Sequence, residues 1–158
     1  MRKGVSFLLL LGLAACDLSS EPETRDDANE FAVRATWNAT LAGIGTATVG
    51  GATKVTERLG SQLDAEVSLT GGLPTRAYQW RVYRGDCAAT AAADLVLFST
   101  IQAYPDLTTD ATGTASLTRF LAGALDSTAA YSVRVRLGVS TTNWNGTNPI
   151  ACGNLQRS

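Results

Sequence analysis

The chain has 158 residues, 45% of them hydrophobic, and a formal net charge of −1. That is enough apolar material for one core and one domain, and with a near-neutral charge nothing global points to nucleic acid or to an anionic surface. It contains no histidine, the commonest metal ligand and the usual general base near neutral pH, which weighs against most hydrolytic and metal-dependent chemistries.

In chain order, Arg2 and Lys3 come first as a positive segment, followed by the apolar run Val5 to Leu13 and the small residues Ala14 and Ala15 before Cys16. This is the layout of an export signal. The apolar run is shorter than the roughly 20 residues a membrane-spanning helix needs. Leu13-Ala14-Ala15-Cys16 resembles the lipobox of bacterial lipoproteins. The resemblance implies cleavage before Cys16, a diacylglycerol thioether on its sulfur and an acyl chain on the new amine, with no other cofactor. Such chains contribute about 0.8 kcal/mol per buried methylene, so two or more hold a protein at a membrane. The expected location is therefore the cell envelope outside the cytoplasm. Asp17 resembles an inner-membrane retention signal, but that rule varies between lineages and leaves inner or outer membrane open.

Residues 1–15 are thus read as signal peptide and 16–30 as lipidated end and tether. Asp17 to Glu30 carries six acids, one Arg, one Pro and no aromatic residue, too little apolar surface to offset ordering entropy. An acidic docking tail is the alternative. With Cys16 acylated, Cys87 and Cys152 remain. In an oxidising compartment they are expected to form one disulfide; two free thiols, serving metal or redox chemistry, are the alternative.

Residues 31–158 read as one β domain. From Phe31 to Leu41 apolar and polar residues alternate, with Phe31, Val33, Ala35, Trp37, Ala39 and Leu41 on one side, the period of a half-buried strand. Thr46 to Val49 and Ala52 to Leu59 follow as short strands between glycines. Leu63, Ala65, Val67 and Leu69 alternate before Gly71-Gly72-Leu73-Pro74. Tyr78, Trp80 and Val82 form the next apolar face, opposite Gln79, Arg81 and Tyr83. Leu95 to Ser99 is an apolar run. Asp110 to Gly113 reads as a turn with an Asx-type cap, preferred over a calcium site built with Asp106 because the ligand alternation of a calcium loop is missing. Thr114 to Phe120 is a strand, although Leu117 to Leu125 also fits a helical face. Tyr131, Val133, Val135 and Leu137 alternate with Ser132, Arg134 and Arg136. The sum is an all-β antiparallel sandwich or barrel with a polar outer face.

Several landmarks resemble the copper/zinc superoxide dismutase family. Arg81-Val82-Tyr83 stands where that family has His-Val-His, Gly85 and Cys87 follow, and Ala151-Cys152-Gly153 matches its late Ala-Cys-Gly. Gly71-Gly72-Leu73 precedes the motif, and Tyr131 to Leu137 is similar to the strand carrying a further copper ligand, at Arg136. The likeness covers Phe31 to Leu155; a chordin-type (CHRD) domain is a weaker match. It implies an eight-stranded Greek-key barrel with Cys87 bonded to Cys152. It also implies copper and zinc, which this chain's residues contradict, because an Arg side chain stays protonated and has no lone pair to give.

Arg81, Tyr83, Arg134 and Arg136 form a candidate patch for an anionic ligand or an envelope protein; a solvated strand face whose Arg stems cover apolar neighbours is preferred. Asp64 and Glu66 share a strand face and would suit glycosidic cleavage if they lined a cleft; a solvated edge is preferred. Trp37 and Trp80 read as core, Trp144 as exposed. The resulting expectation is a membrane-tethered, non-catalytic binding or structural module without a metal. A dismutase-type oxidoreductase is the runner-up, and a sugar-active enzyme built on Asp64 and Glu66 comes third.

Overall fold

The structure, a computed structural model, describes residues 32–89, 104–139 and 148–158. The lipobox with Cys16, the tether, Phe31, the run Leu95 to Ser99 and Trp144 lie outside them. Among the described residues there are eight strands: β1 (Val33–Gly43), β2 (Gly50–Arg58), β3 (Gln62–Thr70), β4 (Ala77–Arg84), β5 (Leu107–Thr108), β6 (Ala115–Ala122), β7 (Tyr131–Leu137) and β8 (Ala151–Arg157). All pair antiparallel, in the order β5-β4-β7-β8-β1-β2-β3-β6. Three neighbouring pairs, β3–β6, β4–β7 and β1–β8, are distant in sequence. The ends of this sheet, β5 and β6, are joined by the turn at Asp110–Thr114, and Gly72 N–H donates to Gly113 O across the seam at 3.0 Å. The sheet is thereby bent into a nearly closed barrel. Gly113 allows the close approach: it has φ +79°, and a Cβ there would lie 2.1 Å from the Gly72 carbonyl.

The alternation read in the sequence is what fills the interior. Ala35, Trp37, Ala39 and Leu41 of β1, Leu63, Ala65, Val67 and Leu69 of β3, Tyr78, Trp80 and Val82 of β4, and Tyr131, Val133 and Val135 of β7 are all buried. Trp37 meets Tyr131 edge-on with ring centroids 5.8 Å apart, and Trp80 meets Tyr104 at 5.0 Å, geometries that add to plain area burial. Three of the polar tips are satisfied at the wall: Trp80 Nε1 donates to Pro105 O (3.0 Å), and Tyr131 and Tyr78 hydroxyls accept from the backbone N–H of Asp126 (2.8 Å) and Leu73 (2.6 Å), whereas Trp37 Nε1 is buried without an acceptor among the described residues.

Four expectations are corrected. Val33 is 57% exposed, because the pairing of β1 with β2 shifts register between Val33 and Ala35, a bulge that turns the first residue out of the alternation. Thr46 to Val49 is not a strand: the chain turns at Gly45 and passes so close to Gly43 that a Cβ there would sit 2.0 Å from Ala47 O. Leu137 ends β7 46% exposed, beyond the covered part of the barrel. Gln79, Arg81 and Tyr83 of β4 and Ser132 and Arg134 of β7 are buried rather than solvated, so these two strands are covered on both faces. The ambiguous Leu117 to Leu125 is strand as far as Ala122, in register with β3. Asp110 caps its turn as expected: Oδ1 accepts from Thr112 N (2.8 Å), Thr112 Oγ1 (2.7 Å) and Thr114 N (3.0 Å). These bonds to the charged form hold its carboxyl below the usual carboxylate range.

Candidate functional site

The four residues of the candidate patch do come together. The β4–β7 register sets Arg81 opposite Arg134, Gln79 opposite Arg136 and Tyr83 opposite Ser132, all on the outer face. The Arg134 guanidinium lies 5.4 Å from the Tyr83 ring centroid, within cation–π range. Their setting overturns the preferred reading of a solvated face: Arg81, Tyr83 and Arg134 are 2%, 1% and 5% exposed. Burial pushes the Tyr83 phenol up to about 12, against the opposing pull of Arg81, Arg134 and Arg136. Tyr104 is pushed up by burial as well.

Arg134 shows what the cluster does. Its Nη2 donates to the carbonyls of Asp86 (2.9 Å) and Ala89 (2.8 Å), in the segment that follows β4. Beside it in register is Cys152, bonded to Cys87 of the same segment with an S–S length of 2.06 Å and Cα atoms 5.9 Å apart. Cys87 N–H also donates to Asn154 Oδ1 (2.7 Å), while Asp86 Oδ1 accepts from Ala88 N (3.0 Å) and Ala89 N (2.9 Å). Gly85 to Ala89 is thus a strap, fixed to β7 and β8 by one covalent bond and charge-assisted hydrogen bonds, and lying over the guanidinium. The disulfide expected from the cysteine count is present; the strap contacts of Asp86 and Asn154 carry no recognisable signal in the sequence.

Asp64 and Glu66 share the outer face of β3, but β3 is no edge, since it pairs with β2 and β6. Asp64 is 7% exposed, and its Oδ2 accepts from Arg58 Nε at 2.5 Å. Glu66 is exposed and faces Lys54 Nζ at 3.8 Å. Each carboxylate has its own cation. Trp37 and Trp80 are core, as read.

A surface feature missed in the sequence runs across five strands. Gln156 of β8 pairs with Asn38 of β1, Asn38 with Lys54 of β2, Lys54 with Glu66 of β3, and Glu66 with Thr118 of β6. This row floors a groove of about 710 Å³, widened by small neighbours such as Ala52, Ser68 and Ser116; the volume is in the range of ligand sites. The only sequence signal was the polar half of each alternating strand, which looks like ordinary solvated surface until the register is known.

The copper and zinc implied by the dismutase resemblance do not fit these residues. The positions matching its copper ligands carry Arg81, Tyr83 and Arg136, and the first and last offer no lone pair. Among the described residues no three His, Cys, Asp or Glu side chains are grouped to hold a metal ion. In comparisons with known proteins, no family model and no curated sequence matches the chain.

Proposed function

We propose that the chain is a bacterial envelope lipoprotein whose β domain is a non-catalytic binding or structural module held at a membrane by lipid on Cys16. One observation carries the reading. In the cluster that sits where a dismutase-like site would be, Arg81, Tyr83 and Arg134 are buried and Arg136 is half-buried, and Arg134 directs its donors at the chain's own carbonyls. Its geometry is that of a clamp on a strap, and the open polar groove lies on other strands.

Kinship with the dismutase barrel is part of the same proposal. Its support is the nearly closed sheet of eight antiparallel strands, the three sequence-distant pairings and the bond from the segment after β4 to the last strand. A Greek-key barrel that lost its metal donors and kept its disulfide accounts for these features together. Fold does not carry function when the site residues differ.

Two measurements test the reading. The Cys16→Ser chain is expected in the soluble fraction of cells whose wild-type protein pellets with membranes; unchanged partition refutes the lipid anchor. Purified wild-type protein is expected to consume no superoxide above the uncatalysed rate and to bind neither copper nor zinc stoichiometrically. Stoichiometric metal together with superoxide consumption establishes the oxidoreductase instead.

A further inference from the structure

We infer that the groove on β8, β1, β2, β3 and β6 is a binding site for a neutral oligosaccharide of acetamido-bearing sugars, with Phe120 as its stacking platform. The inference rests on the binding-module reading and names the ligand class and its location. Phe120 lies on the same outer face as the polar row, two residues beyond Thr118 and so about 7 Å along β6. It is 70% exposed and stands just outside the groove's lining, next to a row made of carboxamides, a hydroxyl and one ion pair. A sugar ring has the matching make-up: an apolar face of C–H groups for the ring of Phe120, and a rim of hydroxyls that both donate and accept.

Charge and backbone decide against the other occupants. Lys54 and Glu66 face each other at 3.8 Å and cancel, whereas a nucleic acid calls for a surplus of cations along its phosphates. An extended peptide adds to a sheet at an edge with open backbone groups; β8, β1, β2 and β3 pair on both sides, and only β6 ends the sheet, so a strand-like peptide would take the β6 edge and not the row between β8 and β3. A lipid surface needs apolar area, and the row from Gln156 to Thr118 offers none. What remains suited to the floor is an uncharged, hydroxyl-rich chain. Asn38 and Gln156 sit side by side in register, and a side-chain carboxamide complements an acetamido group donor for acceptor. The Glu66 carboxylate is placed to accept from a pair of sugar hydroxyls, and the Lys54 ammonium to donate to the next.

The test is calorimetric titration of the full-length protein in detergent with the β1,4-linked hexamer of N-acetylglucosamine, with maltohexaose as the partner lacking acetamido groups. The hexamer is expected to bind with Kd below about 1 mM, and maltohexaose about tenfold more weakly. Phe120→Ala and Glu66→Gln are each expected to weaken the hexamer about tenfold or more. Ser116→Trp, which fills the groove, is expected to abolish binding. Phe120 is exposed, so its loss leaves the fold in place, and an unchanged circular dichroism spectrum checks this. No binding of the hexamer at the millimolar level overturns the inference, as does binding that survives Phe120→Ala, Glu66→Gln and Ser116→Trp. Equal affinity for the two hexamers overturns the acetamido preference. Membrane partition of Cys16→Ser and the superoxide assay report on the parent reading alone, so a negative titration removes the glycan and leaves the anchored module standing.

Discussion

A guanidinium that never loses its proton is costly to bury unless it finds acceptors. Arg134 finds two carbonyls and an aromatic face. Arg134→Leu keeps the apolar stem but leaves the Asp86 and Ala89 carbonyls without this donor, and a loss of about 2–4 kcal/mol is expected. Urea unfolding measures it; an unchanged midpoint would show that the clamp carries no stability. Tyr83 beneath it predicts a pH dependence. Its phenol is raised from 10.0 to about 12 in the folded protein, so the folded state binds the proton more tightly than the unfolded one. The stability this supplies is complete below pH 10 and is lost as pH rises through about 12. Wild type should therefore lose stability more steeply than Tyr83→Phe across that alkaline window. Parallel curves would mean that the hydroxyl is not secluded. At this scale the sequence grouped Arg81, Tyr83, Arg134 and Arg136, as the β4–β7 register does, and placed them in solvent, which the burial of the first three contradicts. Local alternation reports which side a residue points to and nothing about what lies over that side.

At the scale of elements, the strap after β4 is tied to the barrel by the bond between Cys87 and Cys152, 65 residues apart. Cross-linking a loop of that length stabilises by about 4 kcal/mol in the chain-entropy model. Cys87→Ser and Cys152→Ser should lower the melting temperature equally, and the double variant should match either single one; additive losses would contradict the pairing. The strands with clean period-two patterns, β1, β3 and β7, were legible because their inner residues are unambiguous. Thr46 to Val49 was not, because its fate depends on the absence of a side chain at Gly43, which lets the chain pass over that glycine instead of pairing. Val33 failed for a related reason: a bulge belongs to a pair of strands, and β1 alone does not encode it.

For the molecule as a whole, the all-β class and its single disulfide were readable, and the strand order was not. The order matters for the groove, whose floor is assembled from Asn38, Lys54, Glu66, Thr118 and Gln156, residues scattered over five separate strands. No local pattern marks them; only the ladders bring them into a row. The same ladders place Trp37 and Asn38 of the first strand against Arg157 and Gln156 of the last, so the two ends of the described domain leave the barrel at one pole. Tension applied between them would open β1 from β8 like a zipper, rung after rung, at low force. The extension would then halt at the sulfur link, and the span from Cys87 to Cys152 would be sheltered from the load however far the rest of the domain had come apart.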